Sequence, residues 1–403
     1  MKALVVVDGH LFRTPDGRVW SERIYDYSFF ARYLMTFESI RVAMRIKDVQ
    51  NNEEYPNLCS GKGVEFFPIE EFKGPKEYIL KYPSIQKNIK NYFCDCDCGI
   101  FRIPSTVGYQ FWNEFKKTKK PYAVEVVVDP WDFAAPGRLS TPLRPAIRWI
   151  WTSQLKKACM EANGVSYVTQ FALQNRYPSR AKKYGETEKY FEEYYSSANI
   201  PESFYGTAKI YPGKEKRMKI VHVANSISNH VKGHEELISA VAILKRRGID
   251  LDVEFIGEGT LIEHFKKQAE EKDVSDRVYF IGKLSTPQLV REALSSADLF
   301  VFPSHAEGLP RVLIEAMAVG LPAISTRVNG IPELLEDEYL VNVGEIEPLA
   351  DKIQKLALDK DAYNIASRKN LEKAHEYCEV ILQARRQNFY MKLRRCVEQN
   401  NGE

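Results

Sequence analysis

Two glutamates eight positions apart, Glu307 and Glu315, bracket the segment of this sequence in which chemistry is most concentrated. Gly308 and Pro310 between them favour a turn, and the apolar run over residues 312–319 predicts a helix directly afterwards. The free N–H groups of a helix start attract an anion such as phosphate, and carboxylates accept hydrogen bonds from the hydroxyls of a sugar or a ribose. The segment therefore suits a nucleotide-sugar. The alternative is a capped helix with Glu315 on its solvent face.

Loops after other predicted strands carry further candidates, because ligands of open parallel sheets bind beyond the carboxyl ends of the strands. Lys232 follows the predicted strand 219–224 and heads a helix that begins near Gly233. From there its ammonium group could reach a diphosphate, although a lone lysine at a helix start is also an ordinary surface charge. Gly257 and Gly259 would let the backbone approach a ligand closely, and a simple tight turn explains the same residues.

Residues 219–335 resemble glycosyltransferase family 4, a group of retaining transferases. The resemblance lies in five blocks in the family's order, namely IVHVANSISNHVKGHEELISAV from Ile220, VEFIGEG from Val253, VYFIGKL from Val278, ADLFVFPSHAEGLPRVLIEAMAVGLPAIST from Ala297 and NGIPELL from Asn329. It implies an α/β protein with the GT-B fold, in which two Rossmann-like domains face a central cleft. It also implies a C-terminal helix that crosses back to the first domain.

The resemblance also implies residue roles. The family's two glutamates fall on Glu307, which would grip the transferred sugar, and on Glu315, which would hold the ribose. Its phosphate-contacting lysine falls on Lys232. The other donor-binding residues that it implies are Ser226, Gly257, Gly282, Leu284, Gly308, Leu309, Pro310 and Arg311.

One departure from the family concerns charge. Family members commonly carry an arginine six residues before the lysine, and this sequence has Ser226 there. A hydroxyl can donate a hydrogen bond but supplies no charge. Either another cation, Lys283 or Arg311, takes over, or the leaving group is stabilised less.

The first half resembles, more loosely, a bacterial branch of the family that assembles surface polysaccharides, in stretches such as YDYSFFARYL, FRIPS and KPYAVEVVVDPWD. Gly17 is the candidate for the family's glycine-rich first loop at the donor phosphates, although the usual double glycine is missing. Asp129 ends the predicted strand 123–128, where many members present a histidine or an acidic group to the reacting sugar, and it is the candidate catalytic carboxylate. Asp132 and His10 are candidate acceptor contacts. Helix or turn capping explains both aspartates as well.

A second carboxylate pair, Asp95 and Asp97 within CDCDC, matches the D-x-D pattern by which another transferase fold holds a divalent metal. In an extended segment the three cysteines would face one side and the two aspartates the other. Thiols one residue apart lack the usual zinc spacing. We therefore expect an ordinary segment that enters strand 99–103, and neither a metal nor another cofactor.

The length of 403 residues is too great for one core and predicts two domains. We expect an acceptor-binding domain over 1–204, a linker over 205–218, a nucleotide-sugar-binding domain over 219–380 and a C-terminal helix over 381–403. Apolar strands alternate with helical patterns in both halves, as in parallel sheets wrapped by helices. The predicted strands are 3–7, 39–43, 64–68, 99–103, 123–128 and 165–169, then 219–224, 253–256, 277–281, 299–303 and 322–325; the predicted helices include 25–36, 107–117 and 143–162, and the stretch 361–397 is helical in pattern.

The net charge of +3 hides an excess of basic residues in the first half. They cluster at Lys116, Lys117, Lys119 and Lys120, at Arg138, Arg144 and Arg148, and at Lys156, Lys157, Arg176, Arg180, Lys182 and Lys183. Such clusters are solvated faces, or they attract anionic lipid headgroups or a diphosphate-bearing acceptor. Trp149 and Trp151 on the predicted helix 143–162 indicate core or an interdomain surface, with membrane contact as the alternative. No nucleic-acid-binding motif accompanies the charge, so we expect no nucleic acid partner.

The location follows from three features. The apolar run before Asp8 has only five residues, 3–7, too few for a signal peptide, and no run approaches the length of a membrane span. Seven cysteines without a secretory signal indicate free thiols in a reducing compartment. We expect a cytoplasmic protein that can work at the inner face of a membrane.

Together these features predict a glycosyltransferase of the hexosyltransferase type. It would move a sugar from a nucleotide-diphosphate sugar to a hydroxyl of a saccharide or lipid-linked saccharide in polysaccharide biosynthesis, with the retention of configuration that the family resemblance implies. Two alternatives stay open. A nucleotide-sugar epimerase can share the two-domain architecture, and Ser226 suggests a non-catalytic donor-binding partner of another transferase.

Overall fold

The chain folds around two separate β-sheets in the computed structural model, which describes residues 1–22, 25–72, 74–135, 141–198, 200–213 and 217–402. One unit comprises Met1–Val168, Leu173–Tyr195 and Gln383–Glu403, and the other comprises Thr169–Ala172 and Ser196–Leu382. Among the features named above, Arg138, residues 214–216 of the linker and Glu403 of the predicted C-terminal helix lie outside the described residues.

The first unit is built on a nine-stranded sheet. Its strands are β1 (Lys2–Arg13), β2 (Val19–Ser21), β3 (Ser39–Asp48), β4 (Asn57–Leu58), β5 (Val64–Ile69), β6 (Cys98–Ile103), β7 (Tyr122–Val126), β8 (Gly164–Tyr167) and β9 (Phe191–Tyr194). The parallel part has the order β5-β3-β1-β6-β7-β8-β9, and β2 and β4 add short antiparallel pairs. Its helices are α1 (Tyr27–Leu34), α2 (Gly74–Asn88), α3 (Thr106–Phe115), α4 (Pro130–Phe133), α5 (Arg144–Glu161), α6 (Ala172–Arg176) and α7 (Arg180–Tyr184).

The second unit is built on a six-stranded parallel sheet with the order β12-β11-β10-β13-β14-β15. The strands are β10 (Met218–Ser226), β11 (Leu251–Glu258), β12 (Val278–Gly282), β13 (Leu299–Phe302), β14 (Ala323–Thr326) and β15 (Leu340–Val341). The helices are α8 (His234–Arg246), α9 (Ile262–Glu271), α10 (Pro287–Ser296), α11 (Arg311–Ala318), α12 (Ile346–Leu358) and α13 (Lys360–His375), followed by α14 (Glu379–Gly402), which continues into the first unit. Within the described ranges, no helix has both the length and the apolar composition needed to cross a bilayer.

The predicted α/β fold with two parallel sheets is confirmed, and each predicted strand has a counterpart. The strands that the sequence analysis missed are β2, β4, β9 and β15, which have two to four residues each. Strands β2, β4 and β15, with two or three residues, are too short to show an alternating pattern, and the four residues of β9, Phe-Glu-Glu-Tyr, do not alternate. The helical stretch predicted over 361–397 is interrupted, because α13 ends at His375 and α14 begins at Glu379.

A buried carboxylate holds the C-terminal helix in the first unit. Glu125 on β7 is 2% exposed and accepts hydrogen bonds from Arg102 at 2.6 Å, from the Tyr195 hydroxyl at 3.0 Å and from the Tyr390 hydroxyl of α14 at 2.5 Å. Burial by itself would raise the pKa of Glu125. The nearby guanidinium of Arg102 and the hydrogen bond from Tyr390 outweigh burial and lower the pKa to about 2. The carboxylate therefore stays ionised and fixes α14 against the sheet.

Replacing Tyr390 by Phe should lower the free energy of unfolding of the first unit by about 1.5–3 kcal/mol, because an ionised buried acceptor loses a donor. Urea unfolding measures this, with Tyr184→Phe at an exposed position as the control. Because the pKa of Glu125 is depressed in the folded state, the stabilisation is present above the ordinary glutamate pKa and is lost as pH falls toward about 2. A Tyr390→Phe variant as stable as the control would contradict this role of Glu125.

Candidate functional site

A cavity of about 960 Å³ opens in the second unit beyond the carboxyl ends of its central strands. Its wall brings together eight of the residues singled out from the sequence, namely Ser226, Lys232, Leu284, Glu307, Leu309, Pro310, Arg311 and Glu315. Ser226 ends β10, Leu284 follows β12, and the others lie in the loops after β10 and β13 or on α11. The cavity is thus where the topology of a parallel sheet predicts a ligand site.

Lys232 is positioned by a single 3₁₀ turn, His230–Lys232, between β10 and α8. The Asn229 side chain caps this turn by accepting a hydrogen bond from the Val231 N–H at 3.0 Å. Gly233 then turns the chain with φ +77°, and a Cβ there would collide with the Pro303 carbonyl. Only glycine meets both requirements, so the Lys-Gly pair of the sequence is explained by backbone geometry.

A buried histidine supports the same turn from below. His222 on β10 is fully buried, and its Nε2 donates to the carbonyl of Lys232 at 2.8 Å. Burial lowers the pKa of His222 to about 4, so the ring is neutral near pH 7. The ring of His234, also fully buried, lies 4.4 Å from that of His222 between centroids. Its pKa is lowered, chiefly by burial, to about 2.

Glu307 meets Lys232 across the two loops. The Lys232 Nζ donates to Glu307 Oε1 at 2.6 Å, and the Ser304 hydroxyl donates to the same oxygen at 2.7 Å. The two charged side chains are 30% and 11% exposed. The carbonyl of Glu307 accepts a hydrogen bond from the Asn329 side chain at 2.7 Å, and the Gly308 carbonyl accepts one from the Gly330 N–H at 3.0 Å. The NGIPELL block therefore supports the loop that carries Glu307.

The loops after β10 and β13 are joined by further bonds that the sequence analysis missed. The His305 N–H donates to the Val231 carbonyl at 2.7 Å, and its ring Nε2 lies 2.6 Å from Glu236 Oε1 on α8. Ser304 and His305 lie in the block that begins at Ala297, close to Glu307, so their position in the sequence could have marked them as candidates. Glu236 lies in the block that begins at Ile220. Its contact with His305, 69 positions away, leaves no local pattern in the sequence.

Glu315 lies on the cavity wall, not on a solvent-facing side of α11. Burial raises its pKa above the usual glutamate range, and the nearby Arg311 charge opposes that rise. Within the described part of the chain, no side chain caps the start of α11, where Pro310 precedes Arg311. The Leu313 N–H donates to the Pro310 carbonyl at 3.2 Å. The N–H groups of Arg311 and Val312 at the helix start are left for an anion.

The structure gives other predicted donor residues a simpler explanation. Gly257 has φ +150°, and a Cβ there would collide with the Ala224 carbonyl, so the packing of β11 against β10 already requires glycine. Gly257 and Gly282 are not among the described residues that line the cavity.

Two cations were proposed to replace the missing arginine, Lys283 and Arg311. Lys283 donates to Glu258 at 2.8 Å. Arg311 lines the cavity.

The first-half candidates all lie in the first unit. Asp129 is 1% exposed; its carboxylate accepts from the Trp131 N–H at 2.9 Å, from the Tyr177 hydroxyl at 2.5 Å and from Arg176. It is the N-cap of α4, as the capping alternative predicted. Asp132 pairs with Arg176 at 3.3 Å. The Nδ1 of His10 lies 2.7 Å from Glu71 Oε1. Gly17 lies in the turn between β1 and β2 and has φ +82°.

Both aspartates of the D-x-D pair accept hydrogen bonds from other residues of the first unit. Asp95 accepts from Lys2 at 3.0 Å and from Arg41, and the bond from Lys2 in particular lowers its pKa to about 2. Asp97 accepts from the backbone N–H of Lys2 at 2.7 Å. In the described ranges, no three or more His, Cys, Asp or Glu side chains are grouped as metal ligands would be.

Comparisons with known proteins find glycosyltransferases similar to this chain. Residues 208–376 match the family model described as glycosyl transferases group 1. Protein CapJ of Staphylococcus aureus is 27% identical over 342 residues, which cover 83% of this chain and 82% of CapJ. The amylovoran biosynthesis glycosyltransferase AmsK of Erwinia amylovora is 32% identical over 166 residues, 39% of this chain and 40% of AmsK. The crystal structure of Anabaena Alr3699/HepE in complex with UDP and glucose matches with a TM-score of 0.61 at 16% identity over 100% of both chains, a likeness that shows the fold.

Proposed function

Because this chain is a glycosyltransferase with the GT-B fold and resembles glycosyltransferase family 4, we propose that it transfers a hexose from a nucleotide-diphosphate sugar to a hydroxyl group. The acceptor is a saccharide or lipid-linked saccharide of polysaccharide biosynthesis, and the anomeric configuration is retained. One observation carries the proposal: Lys232, Glu307 and Glu315 converge on one cavity beside the open N-terminus of α11. The naming of AmsK for amylovoran biosynthesis and the UDP and glucose bound to HepE support it.

The donor diphosphate lies against Lys232 and the N–H groups at the start of α11. Negative charge on the diphosphate grows as the glycosidic bond breaks, so these donors act most strongly in the transition state. In the structure the Lys232 ammonium is directed to Glu307. A phosphate entering the cavity competes for the ammonium, while Ser304 still holds the carboxylate. Glu307 is then free to accept hydrogen bonds from the sugar hydroxyls.

The ribose lies against Glu315, the carboxylate deeper along α11. Replacing Glu315 by Gln should weaken binding of the donor by about 1.5–3 kcal/mol, because a ribose hydroxyl loses an ionised acceptor. Lys232→Ala should lower kcat much more than it weakens donor binding. Since the pKa of Glu315 is raised, donor affinity should fall on acidification at a higher pH than an ordinary glutamate would give.

The measurement is titration calorimetry with the nucleotide-sugar that gives the largest thermal shift among UDP-, GDP-, ADP- and TDP-sugars. Glu263→Gln, at an exposed position of α9, is the matched control. Equal donor affinity in the Glu315→Gln variant and the control would remove Glu315 from the donor site. The absence of a thermal shift with all four nucleotide-sugars would contradict the proposed function itself.

Arg311 supplies the positive charge that is missing at Ser226. Both residues line the cavity with Lys232, and Lys283 is already paired with Glu258. Arg311→Ala should therefore lower kcat by about tenfold or more, the scale expected when one charged hydrogen bond of 1.5–3 kcal/mol is lost. Ser226→Arg should restore part of this loss when it is combined with Arg311→Ala.

Arg327→Ala serves as the control for that experiment, since Arg327 pairs with Asp337 at the surface. Steady-state kinetics of the four proteins at saturating donor give the comparison. If Arg311→Ala keeps full activity, or if Ser226→Arg restores none of the loss, the second cation is not Arg311.

Transfer proceeds without a divalent metal in this account, because Lys232, Arg311 and the α11 N–H groups together balance the diphosphate. Activity should survive excess EDTA and should survive the double substitution Asp95→Ala with Asp97→Ala. The assay is transfer from the donor chosen above, before and after chelation. Complete loss in EDTA that Mn²⁺ restores would overturn the metal-free mechanism.

The acceptor side is assigned to the first unit. Asp129 engages protein donors through both carboxylate oxygens and fixes α4, so we assign it a positioning role. Asp132 and His10 are the proposed acceptor contacts, and Gly17 the proposed first-loop contact to the donor phosphates. We place the reaction in the cytoplasm, at the inner face of a membrane that carries the lipid-linked acceptor.

A further inference from the structure

His305 lies in the loop that carries Glu307, and it contacts the chain on both sides of Lys232. Its backbone N–H donates to the carbonyl of Val231, one residue before Lys232, at 2.7 Å. Its ring Nε2 donates to Oε1 of Glu236, four residues after Lys232, at 2.6 Å, because a carboxylate oxygen accepts. We call these two bonds the His305 clasp. The clasp ties the two loops together without using the side chain of Lys232 or of Glu307.

The surroundings of Glu236 indicate that its carboxylate serves this contact. Glu236 lies in the first turn of α8, and its side chain is 13% exposed, against 29% for His305. Its other oxygen, Oε2, is buried and has no hydrogen-bond partner within the described ranges of the chain. A buried polar atom that is left unpaired lowers stability. The presence of a glutamate at this position is therefore explained by the bond that its Oε1 accepts from His305.

A neighbouring glutamate provides the contrast. Glu235 lies in the same turn of α8, and its Oε2 is 3.1 Å from the Nδ1 of another histidine, His230. The side chains of that pair are 50% and 53% exposed. Glu235 and Glu236 both lie at the start of α8, where the helix dipole favours acidic residues. Of the two pairs, the one that Glu236 forms reaches the loop of Glu307, so the helix dipole by itself does not explain it.

Donor binding makes the clasp necessary. In the free protein the contact between the Lys232 ammonium and the Glu307 carboxylate holds the two loops together. In the proposed function the donor replaces this contact, so the contact no longer ties the loops in the complex. His305 and Glu236 are not among the described residues that line the cavity. A bound donor therefore leaves the clasp in place to hold the two loops.

We propose that His305 and Glu236 are positioning residues for the transferred sugar. They keep Glu307 at a distance from Lys232 at which the carboxylate accepts hydrogen bonds from the sugar hydroxyls while the ammonium binds the diphosphate. A displacement of the carboxylate by about 1 Å would break such bonds, because hydrogen bonds tolerate a narrow range of distance. The inference rests on the proposed function, which places the sugar at Glu307.

The test compares the affinity for the intact nucleotide-sugar with the affinity for its nucleoside diphosphate, which lacks the sugar. His305→Ala and Glu236→Ala should each weaken binding of the nucleotide-sugar by about tenfold, the scale of one charge-assisted hydrogen bond. Binding of the nucleoside diphosphate should stay within about twofold of wild type. The double variant should lose no more than either single variant, because the two residues act as a unit. Titration calorimetry with the donor chosen by thermal shift gives these affinities.

Two further variants separate positioning from a general loss of structure. His305→Gln keeps a side-chain N–H donor and should restore most of the affinity for the nucleotide-sugar. Glu235→Ala removes the neighbouring charge at the start of α8 and should bind both ligands like wild type. Unchanged affinity in His305→Ala, an equal loss for the two ligands, an equal loss in Glu235→Ala, or no recovery in His305→Gln would overturn the inference.

Failure of the proposed function would give a different result. A wild-type protein that binds neither ligand, or that gains no affinity from the sugar, would contradict the proposed function. Hydrogen exchange in the free protein then tests the clasp by itself. Exchange of the backbone amides of residues 304–308 should become faster in His305→Ala and should stay as in wild type in Glu235→Ala, because loss of the clasp frees the loop. Equal exchange in the three proteins would overturn the clasp.

Discussion

The contact between the Lys232 ammonium and the Glu307 carboxylate is the interaction on which the site depends. The two groups come from separate loops, and each is partly withdrawn from water. A carboxylate left there without a cation, or a cation without a carboxylate, would face the desolvation cost of an unpaired charge. In the proposed function the donor replaces each partner, because its phosphates bind the ammonium and its hydroxyl groups bind the carboxylate. The same two residues would then pair with each other in the free protein and bind the substrate in the complex.

The sheet explains why these loops meet. Strands β10 and β13 are neighbours with Ile220 opposite Leu299, so the loops at their carboxyl ends emerge side by side. Their close approach requires Gly233 against the Pro303 carbonyl, and the bond from His305 N–H to the Val231 carbonyl closes the gap. Neutral His222 supports the lysine turn without adding a charge beneath it. Backbone contacts therefore set the distance between the two loops, and this distance allows Lys232 and Glu307 to form their ion pair.

Local signals were sufficient for most of the fold, because periodicity and turn residues act over a few positions. The resemblance to glycosyltransferase family 4 singled out Lys232, Glu307 and Glu315, and these three residues line one cavity. Contacts between distant segments of the chain could not be predicted from local signals. The pairing of His305 with Glu236 depends on tertiary proximity, and so does the engagement of Asp129 by Tyr177. Gly257 shows a second limit of sequence analysis. Close packing against the Ala224 carbonyl requires glycine at this position, and so would the close approach of a ligand, so the residue type does not distinguish the two roles.

The most direct test of the central claim is a crystal structure of the protein with the nucleoside diphosphate of the donor selected by thermal shift. The account predicts the diphosphate at the start of α11, with the Lys232 Nζ within hydrogen-bond distance of a phosphate oxygen instead of Glu307, and the ribose hydroxyls on Glu315. A nucleotide bound elsewhere, or bound in this cavity with the Lys232 to Glu307 contact intact and Glu315 unoccupied, would contradict it.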